Sequence, residues 1–329
     1  MGHGRSVMRR YVSRRLLSAL FLLVGLSFVT FAIFTLLPSA DPALIRAGRR
    51  PTPELIEQIR ESLGLDRSWL YQYGHFLNRL VFHFDLGYSF QNDVAVRTEI
   101  ANRLPTTGYL AAGALALAFP TGLLVGTWSA GRRGTARAKV VDAATLFAIS
   151  LPSYWLGLVM LTLLSSDGSF ARLLPGQGSC VDFHPFGCAG SFVLPWIALG
   201  IPLAASYILL VRSAMLEILR GEHVVAARAR GLTERAVTYR HGLRFAIGTP
   251  LSLLGVDLGL LLGGALLVES VFNLPGLGRY AVQSVGAGDL PAIQGTVLLG
   301  GIFIVLANLA ADVIHAAIDP RVRDALASG

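Results

Sequence analysis

Three groups of residues in this 329-residue chain have types and spacings that could do chemistry. Asn308, Asp312 and His315 are four and three residues apart, so a helix would put them on one face. Such a set could relay protons or hold a metal, or could be an inward-facing polar cluster; the last reading is preferred, because no second cluster stands by as a relay partner. Asp257 and Glu269 fall in or at the end of an apolar run, where an ionisable side chain is costly and a functional candidate. Glu269 is expected at an outer mouth, where ionisation costs little. Cys180 and Cys188 could pair or remain two thiols; two cysteines are too few for a disulfide scaffold, and no His/Cys spacing matches a metal site. No catalytic constellation is present. The chain lacks the G-x-x-x-x-G-K-[ST] loop needed to hydrolyse ATP itself, and it has neither H-E-x-x-H nor G-x-S-x-G. Gly276-Leu277-Gly278 follows no strand and is not a nucleotide loop.

The elements that must position these residues are membrane spans. Hydrophobic residues make up 53% of the chain and charged residues 15%, well under the ~25% charged of a soluble domain. Mean hydropathy is +0.58, which argues against intrinsic disorder. The first apolar run, Leu16 to Leu37, has 22 residues and as a helix would reach about 33 Å, enough for a hydrocarbon core of about 30 Å. It is too long for the apolar region of a signal peptide and is read as a retained span. Five more spans are expected at about Thr106–Ala130, Val140–Ser165, Phe192–Val211, Pro250–Val271 and Ile293–Ile318. Pro120, Pro152, Pro195 and Pro202 lie in or near their interiors, where neighbouring helices can satisfy the freed carbonyls.

Charge orients the bundle. The net charge is +8, with a single lysine, Lys139. Eighteen of the 28 basic residues fall on the side that holds both termini, which predicts cytoplasmic termini by the positive-inside rule. Seven of them, Arg212, Arg220, Arg228, Arg230, Arg235, Arg240 and Arg244, lie in the cytoplasmic segment 212–249. There Met215 to Arg230 reads as a helix, Gly231 as its left-handed stop, and Thr233 as the N-cap of a second helix to about Ala246. Nucleic-acid binding by this helix pair is excluded on geometry: spans tether both its ends, and its turn carries small residues suited to docking on a protein. The extracytoplasmic segment 39–105 is expected to hold a small helical unit, with Thr52 as an N-cap, Pro53 in first position and Gly64 at the end. Gly255, Gly259 and Gly263 share one face of the fifth span and predict a close helix-packing seam.

The segment Glu222-His-Val-Val-Ala-Ala-Arg-Ala-Arg-Gly231-Leu232 resembles the cytoplasmic EAA loop of ABC importer permeases, in the dipeptide/oligopeptide/nickel branch. Further matches run along most of the chain: Arg14-Arg-Leu-Leu17, Leu37-Pro-Ser-Ala-Asp-Pro42, Asp85-Leu-Gly-Tyr-Ser-Phe90, Arg103-Leu-Pro-Thr106, Ser150-Leu-Pro-Ser-Tyr-Trp155, Leu174-Pro-Gly-Gln-Gly178, Glu269-Ser-Val-Phe-Asn-Leu-Pro-Gly-Leu-Gly278 and Asp319-Pro-Arg321. His223 stands where the branch usually has tyrosine.

The resemblance implies an all-α membrane protein of the bacterial inner membrane, a six-helix type I permease bundle. Residues 1–38 would form the cytoplasmic N-terminus and first span, 39–105 the extracytoplasmic segment, 106–318 the five-span core and 319–329 a cytoplasmic tail. It implies a subunit of an ATP-driven peptide importer, with a second homologous permease, two cytoplasmic ATPases that bind ATP and Mg, and an extracytoplasmic binding protein. This chain would bind no cofactor and would not itself be an enzyme. The loop 217–232, with Glu222, His223, Ala226, Ala227, Arg228, Ala229, Arg230, Gly231 and Leu232, would dock on an ATPase. A nickel-chelate or haem importer of the same family is the alternative, and a proton-coupled secondary transporter working through Asp312 and His315 a more distant one.

Overall fold

The computed structural model describes residues 3–36, 43, 52–63, 66–166, 174–178, 187–263 and 265–318. Helix α1 (His3–Leu36) carries the first apolar run. Helices α2 (Pro53–Leu63) and α3 (Trp69–His83) form the expected helical unit after it. The Thr52 hydroxyl accepts the Leu55 N–H at 3.3 Å and so caps α2; Gly64 lies outside the described residues. Then come α4 (Val96–Gly131), α5 (Ala136–Ser150), α6 (Ser153–Leu164) and α7 (Ala189–Ile218). A short α8 (Glu222–Ala229), a π-helical segment (Ala236–Gly242) and α9 (Leu243–Ala246) lead into α10 (Gly248–Leu262). Helices α11 (Leu266–Val271), α12 (Leu277–Ala287) and α13 (Leu290–Ile318) complete the order. Among the described residues the only strand-like pairings are two isolated bridges, Tyr88 with Ala95 and Ser165 with Leu174.

Among the described residues, helices α1, α4, α7 and α13 are long and apolar enough to cross a membrane, and the count rises to six if each of two bent pairs is one span. The architecture is the expected all-α membrane bundle. Two expected spans are not straight helices, however. The third is broken between α5 and α6, which meet at 98°. Leu151, next before Pro152, is extended (φ −83°, ψ 125°), as clash with a following proline ring demands. Pro120, Pro195 and Pro202 remain inside continuous helices. The fifth span enters through a 50° bend after the π-helical segment, and α10 stops at Leu262, short of the expected Val271.

Lipid tails are as apolar as leucine, so packing within such a bundle depends on close backbone approach. Helices α4 and α7 show this. A Cβ at Gly122 would collide with the Tyr207 side chain, and one at Gly126 would lie 2.9 Å from the Ile208 carbonyl oxygen. Tyr207 is fully buried at this contact, and Leu110, Phe192 and Leu194 are buried together in a separate cluster. The second close contact joins α10 to α13. There a Cβ at Gly259 would stand 2.5 Å from Ala307 Cβ and 3.0 Å from the Phe303 carbonyl oxygen, and one at Gly255 would stand 2.8 Å from Ala311 Cβ. A Cβ at Gly263 would lie 3.5 Å from Gly300 Cα. Helix α3 leans on α1 through an aromatic cluster, Phe28, Phe31, Tyr73 and Phe76, with the Ser27 and Tyr73 hydroxyls 3.0 Å apart.

Candidate functional site

The segment expected to be one helix from Met215 to Arg230 is two. The chain turns at Leu219–Gly221, where the Gly221 N–H donates to the Ile218 carbonyl at 2.9 Å. Residues up to Ile218 belong to α7, and α8 starts afresh at Glu222. The expected stop is at Gly231, whose φ of +78° suits a residue without a Cβ. Thr233 caps the next helical segment, its hydroxyl accepting the Ala236 N–H at 3.3 Å.

Helix α8 has two faces. Val224 and Ala227 are buried against Val237 of the π-helical segment, with Ile218 and Leu219 packed alongside. Glu222, Val225, Ala226, Arg228, Ala229, Arg230, Gly231 and Leu232 are exposed. Val225 (58%) and Leu232 (40%) leave apolar surface on the side away from the bundle. The His223 side chain lies outside the described residues. Arg228 clamps Glu234 with Nε–Oε1 at 2.7 Å and a second bond of 3.2 Å. The Arg228 hydrogen bond holds the Glu234 carboxyl below its ordinary value and raises the guanidinium's own. The pair therefore ties α8 to the residues leading into the π-helical segment.

Two contacts fix this unit to the spans. Gly242 lies against Met215, where a Cβ would be 2.8 Å from the Met215 Cε. One turn before Met215, Arg212 Nη2 pairs with Asp142 Oδ2 of α5 at 2.6 Å. Ser129 of α4 sits between them, donating to Asp142 at 2.8 Å and accepting from Arg212 Nε at 3.1 Å. Arg212, read from sequence only as a cytoplasmic topology charge, thus joins α4, α5 and α7. π-Helical geometry is rare and concentrates at functional sites, and here it lies between α8 and α10.

At the opposite end of α10, the expectation for Glu269 fails. Its side chain is fully buried, not at an open mouth. The Thr107 hydroxyl donates to its Oε1 at 2.7 Å and the Arg279 N–H to its Oε2 at 3.0 Å. Gly276 lies so close to the carboxylate that a Cβ would collide with it. Asp257 is half-buried in α10, accepting the Tyr207 hydroxyl at 2.6 Å.

Residues 122–324 match the family described as binding-protein-dependent transport system inner membrane component, and residues 8–111 match its N-terminal companion. The chain belongs to this family. A putative peptide transport system permease protein of Brucella melitensis is 36% identical over 319 residues, covering 96% of this chain and 99% of the relative. The glutathione transport system permease protein GsiC of Pectobacterium atrosepticum is 34% identical over 316 residues, and the dipeptide transport system permease protein DppB of Escherichia coli 33% identical over 339, each with the same coverage. The protein is an ABC importer permease, a multi-pass inner-membrane component of a family whose ATPase activity lies on separate subunits.

In this permease Cys188 is buried and disulfide-bonded at the start of α7; Cys180 lies outside the described residues. Helix α13 carries Asp312 and His315, whose side chains also lie outside the described residues, and Asn308 is exposed. Among the described residues no group of three His, Cys, Asp or Glu could hold a metal. Sequence reading missed the Thr107–Glu269–Arg279 cluster and the Asp142–Ser129–Arg212 triad. The available signal was an intramembrane acid with hydroxyl residues on other spans.

Proposed function

We propose that this chain is one permease subunit of an ATP-driven importer of di- or oligopeptides. In this reading it forms the translocation path with a second homologous permease, receives cargo from an extracytoplasmic binding protein, and is driven by two cytoplasmic ATPases that bind ATP and Mg. The loop 217–232 docks on one ATPase. The single observation that carries this is the exposed apolar surface of Val225 on α8 and Leu232 just after it, backed by a buried α8 face that packs on the π-helical segment and on Ile218 and Leu219. A rigid unit held in that way can pass a two-state rocking of the ATPases into the bundle. The naming of the relatives for peptide, glutathione and dipeptide transport supports the cargo class. Both termini face the cytoplasm, this chain binds no cofactor and is not an enzyme, and Cys180 pairs with Cys188 in the oxidising outer space.

The test is uptake into proteoliposomes holding both permeases, both ATPases and the binding protein. Labelled dipeptide uptake should need ATP and should stop with Gly231→Asp while the protein still inserts, because an unpaired carboxylate in a close docking contact is expensive. Uptake at the parental rate by that variant would remove the loop from the coupling path. Uptake driven by a proton gradient without ATPases would remove the importer reading altogether.

A further inference from the structure

The arginine-rich end of α4 opens onto a feature that the coupling role leaves unused. A cleft of about 830 Å³ lies between the last turn of α4 and the π-helical segment, with Thr127, Trp128 and Arg132 on one wall and Arg235 and Tyr239 on the other. The Arg132 guanidinium lies 4.9 Å from the centre of the Trp128 ring. Neither Arg132 nor Arg235 meets a carboxylate among the described residues, and Glu234, which also lines the cleft, is already held by Arg228. Thr127 is fully buried and its hydroxyl has no hydrogen-bond partner. The cleft therefore offers two cations that no carboxylate of the described residues compensates.

The cleft continues into the spans. Trp128 and Tyr239 also line a groove of about 410 Å³ together with Val125 and Val141. The same two valines open a furrow of about 270 Å³ between α4, α5 and α7. Its walls are apolar, Ala148, Ala205 and Ile201 among them. Thr145 does not change this, since its hydroxyl is donated to the Val141 carbonyl at 2.7 Å. On α7 the furrow runs from Ile208 to Ile201, about 10 Å at 1.5 Å per residue, which fits inside one leaflet of about 15 Å, half the hydrocarbon core.

We propose that this continuous depression holds one anionic phospholipid. Its phosphate lies between Arg132 and Arg235, its glycerol level with Trp128 and Tyr239, and one acyl chain along the furrow. Guanidinium groups match phosphate oxygens in a fork, and tryptophan and tyrosine sit by preference at headgroup level. A soluble anion would leave the furrow unfilled. A zwitterionic lipid carries its own ammonium, so it brings no net charge to set against the two arginines.

The test is native mass spectrometry of the whole transporter, loaded with phosphatidylglycerol or phosphatidylcholine. Phosphatidylglycerol should be retained on this subunit about tenfold better. The preference should vanish in R132Q/R235Q, and retention of both lipids should fall in Ala148→Trp, which fills the furrow from a half-buried lining position. The single variants R132Q and R235Q give the same reading if the double variant does not assemble. Equal retention of the two lipids, unchanged retention in R132Q/R235Q or A148W, or full displacement of phosphatidylglycerol by glycerophosphoglycerol would each overturn the proposal. So would a quantitative cross-link from Ala148→Cys to the second permease, because a subunit would then fill the furrow.

Discussion

The Thr107 hydroxyl donates to Glu269 Oε1 at 2.7 Å and accepts the Leu277 N–H at 2.9 Å. One side chain of α4 thereby closes the turn between α11 and α12. The carboxylate also takes the Arg279 N–H, so its oxygens are met without an opposing cation. Thr107→Val keeps the shape and removes both bonds, leaving a buried carboxylate oxygen and a backbone N–H short of partners. Each such loss costs about 1–3 kcal/mol. Thr107→Ser should recover most of the loss. Thermal unfolding of the purified permease, read with Leu277 amide exchange, checks the order wild type, Ser, Val.

The α10–α13 seam makes a graded prediction. An alanine at Gly259 must displace backbone as well as Ala307, one at Gly255 meets Ala311 Cβ, and one at Gly263 meets only contacts of 3.3 Å or more. Overpacking costs about 1–3 kcal/mol where neighbours cannot move. Gly259→Ala should therefore lose most stability, Gly255→Ala less, and Gly263→Ala least. Unfolding in denaturing detergent ranks the three, and a large loss at Gly263 alone would contradict the seam.

The six apolar runs, the Gly231 stop and the Thr52 and Thr233 caps were legible because each depends on residues within a few positions. Pro152 and Glu269 were not. Four prolines in or near expected spans look alike in one sequence, yet only Pro152 interrupts its helix. Whether a proline is absorbed depends on neighbouring helices, which the local pattern does not contain. Glu269 is satisfied by Thr107, 162 positions away, so no local reading could tell a buried carboxylate from one at an open mouth. The candidate docking face was legible in composition, but the break at Leu219–Gly221 and the π-helical turn that shape it were not.

Outside the spans, Asp85 gives a pH prediction. Burial opposes its charge, but the Gly87 N–H and the Arg79 guanidinium outweigh burial and hold its carboxyl below the ordinary value. The contacts are 2.8 Å from Gly87 N and 2.6 Å from Arg79 Nη2. Because the folded value is depressed, the stabilisation is complete above the unfolded value of about 3.9 and is lost as pH falls through the lower folded one. Hydrogen exchange at Gly87 should show constant protection from neutral pH down to about 5, then a loss below the unfolded value. Arg79→Gln should move that loss to higher pH. A variant profile identical to wild type would show that the ion pair does not set it.

The Asp142–Ser129–Arg212 triad should behave as one unit. Both ionic side chains are about a quarter exposed (25% each), so solvent screens the pair in part, and breaking it should cost about 1–3 kcal/mol, below the range for fully buried pairs. Asp142→Asn leaves the Arg212 charge facing only neutral acceptors, and Arg212→Gln leaves the Asp142 charge facing only neutral donors. The double variant carries no stranded charge, so its loss should be smaller than the sum of the single losses. The expected coupling energy is about 1–2 kcal/mol, within the range for residues in one network. A double-mutant cycle on detergent unfolding measures it. Additive losses would mean that the two side chains act separately. In that case α5 and α7 would be joined by packing, and the ion pair would not be what holds α4, α5 and α7 together at the base of α8.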